Sequence, residues 1–128
     1  MSTTRNAKVV TILVVDDSRI SRLLTRQFVL DTHTGWIVEE ATTGEEALQK
    51  LETLIPDLII LDVNMPGMGG LAAVQKLREK CPSVKITLLT ANVQDATRNK
   101  AAALGCGFAE KPITEDLIKQ IISVVESV

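Results

Sequence analysis

The chain has 128 residues, 45% of them hydrophobic, and 14 Lys and Arg stand against 16 Asp and Glu for a net charge of −2. That length makes one domain, which buries about two-thirds of the surface its unfolded form exposes and needs neither disulfide nor structural metal. The few aromatics (Phe28, Trp36, Phe108) and the lack of a basic excess exclude a stacking surface for single strands and the phosphate contacts of an ordinary DNA-binding protein. Cys81 and Cys106 lack CxxC spacing, so they read as reduced packing thiols, neither zinc ligands nor a redox pair. Met1 to Lys8 is polar, and no apolar run approaches the ~20 residues of a membrane span. A soluble cytoplasmic domain is expected.

Val9–Val15 (VVTILVV) is an unalternated, β-branched run, the pattern of a strand buried on both faces of a parallel sheet. A helix follows, capped by Asp17 or Ser18, with Ile20, Leu23, Leu24 and Phe28 predicted on its buried face. Asp31–Gly35 reads as a polar loop with His33 in solvent, and Trp36 packs at the start of a weaker strand, Ile37–Ala41. Glu39 and Glu40 suit a sheet edge. Thr43-x-x-Glu46 reads as a capping box opening a second helix with Ala47, Leu48, Leu51 and Ile55 inward. Leu58–Leu61 (LIIL) is the third strand; Met65 and Met68 in the next loop read as packing residues. Leu71, Val74, Leu77 and Cys81 mark a third helix, and Arg78-Glu79-Lys80 reads as its solvated end. Ile86–Leu89 is a fourth strand, followed by a small-residue helix over Val93, Ala96 and Ala101–Leu104. Gly107–Glu110 around Phe108 makes the fifth strand. Thr114, Glu115 and Asp116 open the last helix, which turns Leu117, Ile118, Ile121, Ile122 and Val125 inward. Pro56, Pro66, Pro82 and Pro112 all fall between elements, where proline is harmless.

Five strand–helix units imply right-handed crossovers and an α/β parallel sheet covered on both sides. They are too few for an eight-stranded barrel, so an open, doubly wound five-stranded sheet is expected, with its functional crevice outside the carboxyl ends of the strands. Asp16 and Asp17 follow strand one, Asp62 strand three, Thr90 strand four, and Lys111-Pro112 strand five. Three acids gathered in a crevice repel one another unless a hard cation sits among them, and oxygen donors with room for water suit Mg²⁺. Lys111 and Thr90 add a positive charge and a hydroxyl, which together fit a phosphoryl group. A single carboxylate at a strand end is usually a loop residue or a cap; the combination on four strand ends is what points to a phosphate and Mg²⁺ site.

The segments VVDDSRISR, LDVNMPGMGG, LTAN and GFAEKPI resemble the receiver domain of bacterial two-component response regulators, of the CheY-like type, from about Val9 onward. The resemblance implies strand order 2-1-3-4-5, a short extension over residues 1–8 and a receiver domain over 9–128. It makes Asp62 the phosphoacceptor and makes Asp17 and Asp62 Mg²⁺ ligands, with Asp16 acting through water and Asn64 through its backbone carbonyl. Lys111 would pair with the phosphoryl group, Thr90 would contact it, and Phe108 would change rotamer with Thr90. The Lys111–Pro112 bond would be cis. Two departures from the family pattern stand out. Gly105-Cys106-Gly107-Phe108 is one residue shorter than the usual connection, and Val63 replaces an aromatic. Asn92 occupies a position that tunes phosphoryl lifetime.

The implied function is a stand-alone switch, in chemotaxis or another two-component pathway. A sensor histidine kinase or acetyl phosphate phosphorylates it, a phosphatase resets it, and a protein target is bound through the fourth helix, fifth strand and fifth helix. No nucleic acid or membrane is engaged, and catalysis extends only to its own phosphorylation and dephosphorylation. A receiver excised from a larger regulator and a phosphorelay intermediate are the alternatives. A Mg²⁺-dependent phosphohydrolase of haloacid-dehalogenase type is the rival from another class. It would carry its acids as DxD after one strand, with a cap, and neither is present in the sequence.

Overall fold

A computed structural model describes residues 9–64, 70–91 and 94–126. Strand and helix alternate as β1 (Thr11–Val15), α1 (Arg19–Thr32), β2 (Ile37–Ala41), α2 (Gly44–Lys50), β3 (Leu58–Asp62), α3 (Gly70–Lys80), β4 (Lys85–Thr90), α4 (Asp95–Ala103), β5 (Gly107–Glu110) and α5 (Glu115–Ile122). A 3₁₀ turn over Ser123–Val125 follows. The sheet is parallel throughout, in the order β2-β1-β3-β4-β5. The doubly wound α/β fold, and the acidic β2 at an edge, are as expected.

Alternate residues of the central strands feed two cores. Leu13, Val15, Ile59, Leu61, Ile86 and Leu88 meet α2, α3 and Ala101 of α4 on one face. Ile12, Val14, Leu58, Ile60 and Leu89 meet Val29 of α1 and Ile118, Ile121 and Ile122 of α5 on the other. Every residue of β3 is buried, and each such aliphatic side chain contributes about 1.5–3 kcal/mol when fully withdrawn from water. β3 and β4 run one residue further than their apolar runs, so Asp62 and Thr90 are the last residues of their strands.

Helix α1 does not bury the face that its apolar residues suggest. Ile20 and Leu23 are 71% and 49% exposed, while Thr25 and Val29 are fully buried. The inward stripe runs through Ser21, Arg22, Thr25, Phe28 and Val29, because the first turn overhangs the polar end of the sheet and only later turns meet the apolar core. The Thr25 hydroxyl finds no hydrogen-bond partner among the described residues. Ser18, not Asp17, caps the helix: its side chain accepts from the Ser21 N–H at 3.2 Å. Helix α2 stops at Lys50, so Ile55 lies outside it and is 81% exposed. The following Pro56 disfavours helical backbone at Ile55.

Several side chains expected in solvent instead join elements. His33 closes α1, stacks on Trp36 at 3.8 Å, and lies 2.6 Å from the Glu126 carboxylate beyond α5. Arg78 donates to the carbonyls of Leu104 and Gly105, tying α3 to the end of α4. The short connection there is a regular helix stop. Gly105 adopts φ +71°, the Cys106 N–H reaches Ala101 O at 2.9 Å, and the Gly105 N–H reaches Ala102 O at 3.0 Å. The capping box is displaced by one residue. Thr43 Oγ1 accepts from the Glu46 N–H at 3.0 Å, but the Glu46 carboxylate takes the N–H and hydroxyl of Thr42, at 2.7 and 2.8 Å. Burial pushes the Cys106 thiol up against the opposing pull of Arg78, which suits a packing residue.

Candidate functional site

The crevice at the carboxyl ends of β1, β3, β4 and β5 collects Asp16, Asp17, Asp62, Asn64, Thr90 and Lys111. Asp16 and Asp62 are buried and Asp17 is exposed. One carboxylate oxygen from each lies within 4.8 Å of those of the other two. That span is a little over twice a Mg²⁺–oxygen distance of ~2.1 Å, so these all-oxygen donors fit Mg²⁺ with water completing the octahedron. The exposed Asp17 leaves the side from which a donor can approach.

Lys111 Nζ lies 3.1 Å from Asp16 Oδ2 and 3.8 Å from Asp62 Oδ2, and it donates to Ser21 Oγ at 3.3 Å. The Lys111–Pro112 bond is cis, and the Lys111 N–H reaches Thr90 O at 2.8 Å, which fixes β5's end against β4's. The Asn64 backbone N–H donates to Asp62 Oδ1 at 3.0 Å, and its carboxamide donates to Thr90 Oγ1 at 3.1 Å. Burial raises the Asp62 carboxyl above its ordinary 3.8, reinforced by the Asp16 charge and opposed by the Asn64 N–H and by Lys111. Three acids against one lysine leave the crevice negative, so it favours a divalent cation and a neutralised phosphoryl group together.

Phe108 sits on β5, partly buried against the α2–α3–α4 core, with the Arg98 guanidinium carbon 5.7 Å from its ring centroid. On α4, Ala101 is buried in the core while Ala102 and Ala103 are exposed. Met65, Pro66, Met68, Asn92 and Val93 lie outside the described residues.

Sequence reasoning assigned no role to three residues that build the site. Ser21 receives the lysine ammonium. The Arg22 guanidinium holds the Asp16 carbonyl at 2.8 Å. Gly70 begins α3 so near β3 that an added Cβ would lie 2.7 Å from both Asp62 O and Val63 Cα. The first two stand in the segment VVDDSRISR, but their spacing from the acids gave no sign of which way they point.

Residues 12–123 match the sequence model of the response regulator receiver domain. The chain belongs to that family: it is a CheY-like receiver domain of two-component signalling. Over 121 residues it is 43% identical to the sensor protein EvgS of Escherichia coli K12, an alignment that covers 91% of this chain and 10% of EvgS. The chain therefore spans a tenth of that relative's length. The chemotaxis protein CheY4 of Vibrio cholerae, solved at low pH, superposes with TM-score 0.82 at 30% identity, covering 92% of this chain and 99% of CheY4. A response regulator from Burkholderia pseudomallei, solved with a phosphorylated aspartic acid, calcium ion and citrate, gives TM-score 0.75 at 25% identity over 87% of this chain and 65% of that one. Receiver domains bind Mg²⁺ at an acidic pocket, are phosphorylated by sensor histidine kinases and bind downstream targets. Among the described residues, no helix is long and apolar enough to cross a membrane.

Proposed function

We propose that Asp62 accepts a phosphoryl group and that the change is read by another protein. The observation that carries this reading is the Asp62 carboxylate at a strand end, between Asp16 and Asp17 on one side and Lys111 on the other. A carboxylate oxygen of Asp62 attacks phosphorus in line. The P–N bond of a phosphohistidine, or the P–O bond of acetyl phosphate, breaks; its electron pair leaves with the donor, and an acyl phosphate forms. Asp16, Asp17, Asp62 and the Asn64 carbonyl would hold Mg²⁺, which neutralises charge on the transferring group. Lys111 supplies the second positive charge and Thr90 a hydroxyl donor. Water reverses the modification in the same pocket, so the chain catalyses only its own phosphorylation and dephosphorylation. The phosphorylated aspartic acid of the Burkholderia protein supports the assignment.

The likeness to the chemotaxis protein CheY4 supports a cytoplasmic switch, with a sensor histidine kinase upstream and a protein target docked on α4, β5 and α5. The similarity to a tenth of EvgS favours a second reading, a receiver that works within a larger regulator or relay. Acetyl phosphate and Mg²⁺ should add one acid-labile phosphoryl group to the parent by intact mass, and none to Asp62→Asn or Asp17→Ala. Labelling of Asp62→Asn to the parental extent refutes the assignment.

A further inference from the structure

We infer that Arg22 is the positioning residue of the acid turn, and that Glu40 on the edge strand holds it in place. The inference rests on the Mg²⁺ reading of Asp16, Asp17 and Asp62. Every polar atom of Asp16 is engaged. Its N–H donates to Ala41 O at 3.0 Å, Oδ1 accepts from the Ser18 N–H at 2.9 Å, and Oδ2 lies 3.1 Å from Lys111 Nζ. Its carbonyl accepts from Arg22 Nη1 at 2.8 Å. That carbonyl belongs to the peptide joining Asp16 to Asp17, so its direction sets where the Asp17 carboxylate leaves the backbone.

Arg22 is itself held. Its side chain is only 14% exposed, and Nε donates to Glu40 Oε1 at 3.0 Å. Glu40 Oε2 receives Arg26 Nη1 at 2.8 Å, and the same nitrogen donates to Val38 O at 3.0 Å. Strand β2 carries no residue of the phosphorylation site, yet through Glu40 and Arg22 it fixes the angle of the acid pair. A lysine cannot replace this arginine: its single ammonium lacks the planar fork that serves the carbonyl and the carboxylate from different nitrogens. Partners that orient metal ligands from outside the coordination sphere typically change affinity by about 10–100-fold when lost.

Charge and positioning predict opposite signs, which makes the inference testable. A guanidinium beside the acids repels a divalent cation, so its charge alone weakens Mg²⁺ binding. Removing that charge should tighten binding, whereas removing the positioning contact should loosen it. Mg²⁺ alone, without a phosphodonor, is titrated into the parent, Asp17→Ala, Arg22→Gln, Arg22→Lys and Glu40→Gln, following backbone amide shifts by NMR. The expected result is Mg²⁺ affinity weakened about tenfold in both Arg22 variants, with a smaller loss in Glu40→Gln and a dispersed native spectrum in each. Unchanged or tighter binding in Arg22→Gln, with Arg22→Lys at the parental value, overturns the positioning role. If Arg22→Gln does not fold, Arg22→Lys and Glu40→Gln decide the matter in the same way. If the parent binds no Mg²⁺, or Asp17→Ala binds as the parent does, the metal reading itself falls and takes this inference with it.

Discussion

Asp62 holds its charge at a cost. Burial and the neighbouring Asp16 raise its carboxyl above the ordinary 3.8, so between that value and the raised one the folded chain binds more protons than the unfolded chain. Stability therefore falls as pH rises through this window, and at neutral pH the ionised Asp62 destabilises the fold. Asp62→Asn should unfold at a higher temperature than the parent at pH 7 in buffer without divalent cations, and the advantage should vanish below the ordinary carboxylate range. An equal advantage at pH 3 and pH 7 contradicts this account. The site's charged and hydroxyl residues were legible in the sequence because four strand ends each carried one: Asp16 with Asp17, Asp62, Thr90 and Lys111. Ser21 and Arg22 were not, because their roles depend on how far the first turn of α1 overhangs the sheet. His33 and Arg78 looked like solvated residues for the same reason: their partners, Glu126 and Leu104, are distant in the chain.

At the scale of elements, apolar runs gave the strands to within two residues, since strands buried on both faces need no alternation; the largest miss is β1, which begins at Thr11 and leaves Val9 57% exposed. Helix α1 was harder. Its hydrophobic count favoured Ile20 and Leu23, but the face that meets the core carries Thr25, and its hydroxyl is buried without a partner among the described residues. An unsatisfied buried hydroxyl is costly, while an apolar group of the same shape is not. Thr25→Val should stabilise the fold by about 1 kcal/mol in denaturant unfolding; a loss of stability would mean that the hydroxyl is satisfied. Gly70 makes the opposite case. A methyl group there meets the backbone of Asp62 and Val63 at 2.7 Å, and strain of that kind costs about 1–3 kcal/mol. Gly70→Ala should lower stability by that amount and slow phosphorylation, because β3 must shift where it carries Asp62. Parental labelling rates in Gly70→Ala would show that α3 can yield without moving the site.

For the molecule as a whole, the proposed switch would link the crevice around Asp62 to a surface on α4, β5 and α5. Lys111 and Phe108 share the fifth strand and its exit, and Thr90 is hydrogen-bonded to Asn64 beside Asp62. A phosphoryl group on Asp62 that draws the Thr90 hydroxyl toward it competes with the Asn64 carboxamide. An inward turn of Phe108 would then give up the Arg98 contact at 5.7 Å. Beryllofluoride, standing in for the phosphoryl group, should change amide exchange chiefly over residues 90–111; changes confined to α1 and α2 would move the output face elsewhere. The strand order came from the family resemblance, since alternation of strand and helix admits several orders. The central claim is that Asp62 alone carries the phosphoryl group. Borohydride reduction after acetyl phosphate treatment converts a phosphorylated aspartate to homoserine, and peptide mass mapping then locates it. Homoserine at position 62 and nowhere else is the predicted result; homoserine at position 16 or 17, or an intact aspartate at 62 in a labelled chain, would contradict it.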